Sequence, residues 1–97
     1  MATRKREIDC LTEYFDKSDG LDTFLDYLFD EKIMKPTDIP VNVRHAEKIR
    51  IIHESLHKAL DENKIILLDF HWQLLPIYQI KISIITHYGT KDFLYGY

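Results

Sequence analysis

His53, Glu54 and His57 stand in the order HExxH within VRHAEKIRIIHESLHKALDEN, residues 43–63. Four residues are about one helical turn, so in a helix both imidazoles project from one side. There, two ring nitrogens can close on one zinc ion while Glu54 stands beside a metal-bound water. A pair of half-buried histidines with a solvated glutamate satisfies the same spacing, so the motif alone leaves two readings open. The apolar residues Ile49, Ile52, Leu56, Ala59 and Leu60 recur at helical spacing and should face the core. At about 100° per residue, His53 falls on the flank of that stripe and His57 near its border.

The elements that must position this helix follow from changes of period along the chain. Ile8, Leu11, Tyr14 and Phe15 give an apolar face to a first helix reaching about Lys17, preceded by the basic residues Arg4, Lys5 and Arg6 as a solubilising terminus or a short arm. Ser18, Asp19 and Gly20 break that helix. A second helix over 21–32 then has Leu21, Phe24, Leu25, Leu28 and Phe29 on one side. Asp22, Asp26 and Asp30 repeat on its other side, where each stacked like-charge pair costs about 0.2–0.5 kcal/mol. That stripe is a solvated face or a contact surface for a basic protein partner. Pro36 and Pro40 mark a structured connector over 33–42, and Asn42 is placed to cap the long helix.

After Lys64 the period becomes two. Ile66, Leu68, Phe70 and Trp72 alternate on one face; beyond Pro76, Tyr78, Ile80, Ile82 and Ile84 alternate with Gln79, Lys81 and Ser83. Gly89 to Asp92 reads as a turn, with FLYGY as a short third strand or a loop. The expected fold class is α+β: three helices followed by a two- or three-stranded antiparallel sheet, whose even-numbered face packs on the long helix.

Composition sets outer bounds. The 97 residues are 45% hydrophobic and 12% aromatic, enough for one small core and so a single domain over 1–97. The net charge of −3 is unevenly spread, with ten acids against three lysines in residues 7–38 and six acids against seven bases in residues 39–97. Cys10 is the only cysteine, which excludes an intrachain disulfide and a cysteine-built zinc site. No apolar run approaches the roughly 18 residues that span a bilayer, and the basic N-terminus has no apolar stretch behind it. The expected location is therefore the cytoplasm, with no membrane partner.

Gly89, Thr90, Lys91, Asp92, Phe93, Leu94, Tyr95 and Gly96 form a second motif. With the upstream HExxH it resembles the aspzincins, the deuterolysin and peptidyl-lysine metalloendopeptidase group, whose signature is HExxH followed by GTxDxxYG. The resemblance covers thirteen residues and matches every fixed position of both patterns. It implies that His53, His57 and Asp92 bind zinc, that Glu54 is the general base, and that Tyr95 helps stabilise the oxyanion during peptide hydrolysis. Independent chemistry is compatible, since two imidazoles and one carboxylate leave a tetrahedral zinc with a position open to water. His45, His71 and His87 are further candidate ligands, and Asp69 is a competing carboxylate.

Two other functions fit the sequence. One is a non-enzymatic partner-binding protein of the inhibitor or immunity type, using Asp22, Asp26 and Asp30 with the aromatic C-terminus. The other is a winged-helix nucleic-acid binder, which the long helix disfavours because Arg44, Lys48, Arg50 and Lys58 are interspersed with Glu47, Glu54, Asp61 and Glu62.

Overall fold

A computed structural model of the chain describes residues 2–96. Three helices, α1 (Ala2–Ser18), α2 (Leu21–Asp30) and α3 (His45–Asp61), precede three strands, β1 (Ile65–Gln73), β2 (Gln79–Thr86) and β3 (Gly89–Gly96). The strands form one antiparallel sheet in the order β1-β2-β3. The α+β arrangement expected from the change of period is the one observed.

Ile80, Ile82 and Ile84 of β2 are fully buried and Phe93 of β3 is buried, and they join Leu11, Leu28, Ile52 and Leu56 in one cluster. The helices therefore cover one sheet face. Aromatic rings fasten α1 and α2 to β3, with Phe24 against Phe93 at 4.4 Å between centroids and Phe15 edge-on to Phe24 at 5.2 Å. Such pairs add roughly 0.5–1.5 kcal/mol beyond their area burial. In the connector, Ile33 and Met34 enter the core, and a 3-10 turn at Pro36–Asp38 closes when the Asp38 carboxylate accepts the Lys35 backbone N–H at 2.9 Å.

Several local expectations need correction. Arg4, Lys5 and Arg6 do not precede the first helix; they lie exposed within α1. Arg44, not Asn42, occupies the N-cap of α3, with no side-chain hydrogen bond. Ile66 is half-exposed because an irregularity between Ile65 and Leu67 breaks the alternation, so Ile65 is the buried residue. The last reversal lies at His87 and Tyr88, and Gly89 to Asp92 already belong to β3, paired with β2 from Thr86↔Gly89 to Ser83↔Asp92. Among the described residues, no helix is long and apolar enough to cross a membrane.

Candidate metal centre

The apolar stripe of α3 buries Ile49, Ile52, Leu56 and Ala59, and the same rotation carries His53 inward to 2% exposure. His57, one turn later, keeps 28% of its side chain exposed. Their rings lie 4.6 Å apart between centroids, and His53 also approaches Phe70 of β1 at 6.2 Å. The HExxH helix thus presents its two imidazoles side by side at the junction of α1, α3 and β1.

The third member of the group comes from α1. One oxygen of Glu7, Oε1, accepts a hydrogen bond from His53 Nε2 at 2.8 Å and another from His57 Nε2 at 2.7 Å. The three ligand-capable atoms lie within 4.8 Å of one another, and this is the one such group among the described residues. Burial pushes the Glu7 carboxyl upward, but the two imidazole hydrogen bonds and the attraction of the rings outweigh it, so its pKa sits below the ordinary carboxylate value. Glu7 is therefore an anion at neutral pH, with both ring donors satisfied on one oxygen.

Asp92 does not join this group. Its neighbour Phe93 is buried under the helices, and a strand sends successive side chains to opposite faces. Asp92 is accordingly exposed on the helix-free face, opposite Ser83 of β2. Atoms farther apart than about 5 Å cannot share one ion, and an intervening sheet exceeds that separation. Tyr95 shares the face of Phe93 and is half-buried edge-on to Tyr78 at 6.2 Å; the Tyr78 hydroxyl donates to Glu13. Glu54 is exposed on α3.

The remaining candidates have other contacts. His45 meets Asp16 at 3.3 Å, His87 donates to the Asn63 carbonyl at 3.0 Å, and His71 is exposed on the helix-free face, opposite Lys81. Asp69 is exposed at a small cleft of about 170 Å³ whose lining includes Arg6, Glu7, Phe70 and Trp72. Among the described residues the buried Trp72 indole N–H meets no acceptor in good hydrogen-bond geometry, and the Tyr78 hydroxyl is its polar neighbour. Cys10 also borders this cleft, but burial raises its thiol to about 11, which keeps it protonated and unreactive at neutral pH.

Neither motif points to Glu7, although α1 carries a signal for it. It stands four residues before Leu11 and seven before Tyr14, on the very stripe that the apolar residues occupy. A carboxylate on an apolar stripe needs a buried partner, and two histidines on another helix are suitable ones.

The glycines of GTxDxxYG have structural tasks. Gly89 opens β3 with φ +139°, and a Cβ on Gly96, at φ +140°, would stand 2.3 Å from the Tyr78 carbonyl oxygen. No protein-family model matches the chain, and neither curated proteins nor solved structures yield a match.

Proposed function

We propose that the chain is a metal-dependent hydrolase of the metalloendopeptidase kind, in which Glu7, His53 and His57 hold a zinc ion and Glu54 serves as the base. The observation that carries this reading is the convergence of both Nε2 atoms on one Glu7 oxygen at 2.7 and 2.8 Å. Two imidazoles and a glutamate make a donor set used by catalytic zinc, with a fourth position left for water or substrate. When bound, the ion would lower the pKa of a water and polarise a carbonyl.

The chain's own residues supply the rest. Glu7 is anionic and already oriented, so it can ligate without first losing a proton. Glu54, next in sequence to His53, lies on the solvent side of α3, where it can accept a proton. The cleft beside Glu7 offers the rings of Phe70 and Trp72 to a peptide or protein substrate.

Calorimetric titration of chelator-treated protein with zinc tests the centre. One ion per chain is expected, with binding lost in Glu7→Ala and His57→Ala. Glu54→Gln should keep the ion and lose peptide hydrolysis. Failure of the wild-type chain to bind zinc would sink the whole reading; undiminished hydrolysis by Glu54→Gln would remove Glu54 as the base.

A second reading rests on a different observation. Asp22, Asp26 and Asp30 are all exposed along α2, while Phe24, Leu25 and Leu28 on its other side are buried. Their row suits a basic partner held without catalysis. Replacing all three with Asn should weaken a salt-sensitive complex and leave the fold intact or slightly steadier. Unchanged binding to an identified basic partner would retire that reading.

A further inference from the structure

The sheet has two edges, and β1 forms the one beside the histidines. β1 has β2 on one side only, so along the other its backbone N–H and C=O groups meet no strand. The helix layer does not close that side. A cleft of about 170 Å³ lies between α1 and β1, with Leu68, Phe70 and Trp72 on its sheet wall. Cys10 of α1 reaches the His71 carbonyl oxygen at 3.9 Å, a weak thiol contact that leaves this acceptor a second lone pair. Exposed apolar residues gather at both ends of the strand, Ile66 and Leu67 at its start and Leu74 and Leu75 just past its end.

The charges of β1 specify what can lie there. Asp69 and His71 are exposed on the helix-free face, and neither joins an ion pair among the described residues. Through the register of the sheet each heads a row. Asp69, Ser83 and Asp92 form an acidic row across the three strands, and His71, Lys81 and Leu94 form a basic row next to it. On a strand edge, two neighbouring rows of opposite sign are complementary to themselves, because a two-fold axis inverts their order.

Charge also decides which residue lies on the axis. With the axis normal to the sheet, each face of one chain continues into the same face of the other, so only residues of one face can stand opposite each other. An axis at Asp69 would set carboxylate against carboxylate, and one at His71 would set imidazole against imidazole with a Lys81 behind each. An axis at Leu68 would put Leu67 against a carboxylate. At Phe70, Asp69 meets the partner's His71 and His71 meets the partner's Asp69, and each basic row runs on into an acidic one. The same register sets Leu68 against the partner's Trp72 on the helix-covered face and brings Ile66 beside the partner's Leu74.

We infer that β1 pairs antiparallel with β1 of a second copy of this chain, about a two-fold axis at Phe70, joining the two sheets into one. An edge of nine residues is small for an interface, so the dimer should be weak and dependent on concentration. In the dimer the partner strand lies along the cleft beside Glu7, which leaves the monomer as the form open to a peptide. Pairing itself uses none of Glu7, His53 and His57, so this association and the metal centre can fail separately.

Sedimentation equilibrium of the intact chain, from low micromolar to submillimolar concentration, tests the pairing. The wild type should pass reversibly from monomer to dimer and no further. Asp69→Lys opposes a lysine to His71, and His71→Asp opposes a carboxylate to Asp69; each alone should weaken association about tenfold. Both positions are exposed, so the melting temperatures of these variants should stay near that of the wild type.

The double variant Asp69→Lys, His71→Asp should recover the wild-type affinity, because the two charges have only changed places. That recovery is specific to the Phe70 register: an axis at Asp69 would oppose two lysines in the double variant, and one at His71 would oppose two carboxylates. The inference is overturned by a wild-type chain that stays monomeric throughout the range, by either single variant associating as tightly as the wild type, or by a double variant that stays as weak as the singles.

Discussion

α3 and β3 each carry a short polar pattern on an element packed against the same core, and their backbones treat it in opposite ways. On α3 the repeat of 3.6 residues stacks His53 over His57, and the apolar stripe turns both toward Glu7. On β3 the repeat of two residues separates Asp92 from Phe93, so burying the ring commits the carboxylate to the helix-free face. Whether side chains can converge depends on the period of the element that bears them as much as on their spacing in the sequence. A helical pattern with one inward residue brings its neighbour one turn away along with it; a strand pattern sends the adjacent residue away.

The largest effect expected from breaking this contrast is at His53. Truncation to Ala opens a cavity at a 2% exposed position and leaves the Glu7 carboxylate with one partner fewer, which should cost about 3 kcal/mol in chemical denaturation. Loss of less than about 1 kcal/mol would mean that the pair is incidental to the packing.

Gly96 comes next. Gly96→Ala must move the Tyr78 backbone and hold φ near +140°, for a loss of about 2 kcal/mol visible as a lowered melting temperature. An unchanged melting temperature would show that the end of β3 relaxes freely.

Glu7→Gln should cost about 1 kcal/mol at neutral pH, and the loss should depend on pH. The folded-state pKa of Glu7 is lowered, so its contribution is fully present above its unfolded value, near 4.5, and is lost as pH falls through the lower folded value. Wild-type and Gln variants should therefore converge in stability as the solution is acidified below about 4.5. A constant gap across that window would contradict the pairing. Asp92→Asn should have the smallest effect, within about 0.5 kcal/mol and with no change in metal affinity, because the side chain is exposed. Loss of metal binding in this variant would restore Asp92 as a ligand.

The main architecture was legible because each helix buries a stripe with its own period, and the shift to alternation after Lys64 is abrupt. β3 was partly hidden. Gly89 and Asp92 are turn-forming residue types, whereas the actual reversal uses His87 and Tyr88, which carry no such signal. The centre was half legible: HExxH fixes the relation of two residues within one helix, but Glu7 lies 46 residues from His53, and only tertiary packing joins them. Its place on the α1 stripe indicated burial without identifying the partners. At Ile66 the expected alternation gives way to a shift of pairing register between Ile65 and Leu67, which hydropathy does not encode.

β3 has a neighbouring strand on one side only, so its outer backbone groups are open to pairing with another molecule. Such an edge is an aggregation hazard when it is flat and apolar. Here Lys91 and Asp92 occupy the middle of the strand on opposite faces, and the Lys91 ammonium lies 5.5 Å from the Phe93 ring centre. An incoming strand would have to desolvate a charge on each face before gaining its backbone hydrogen bonds. Lys91 and Asp92 thus act as gatekeepers against edge-to-edge assembly, a role that depends on their pointing apart.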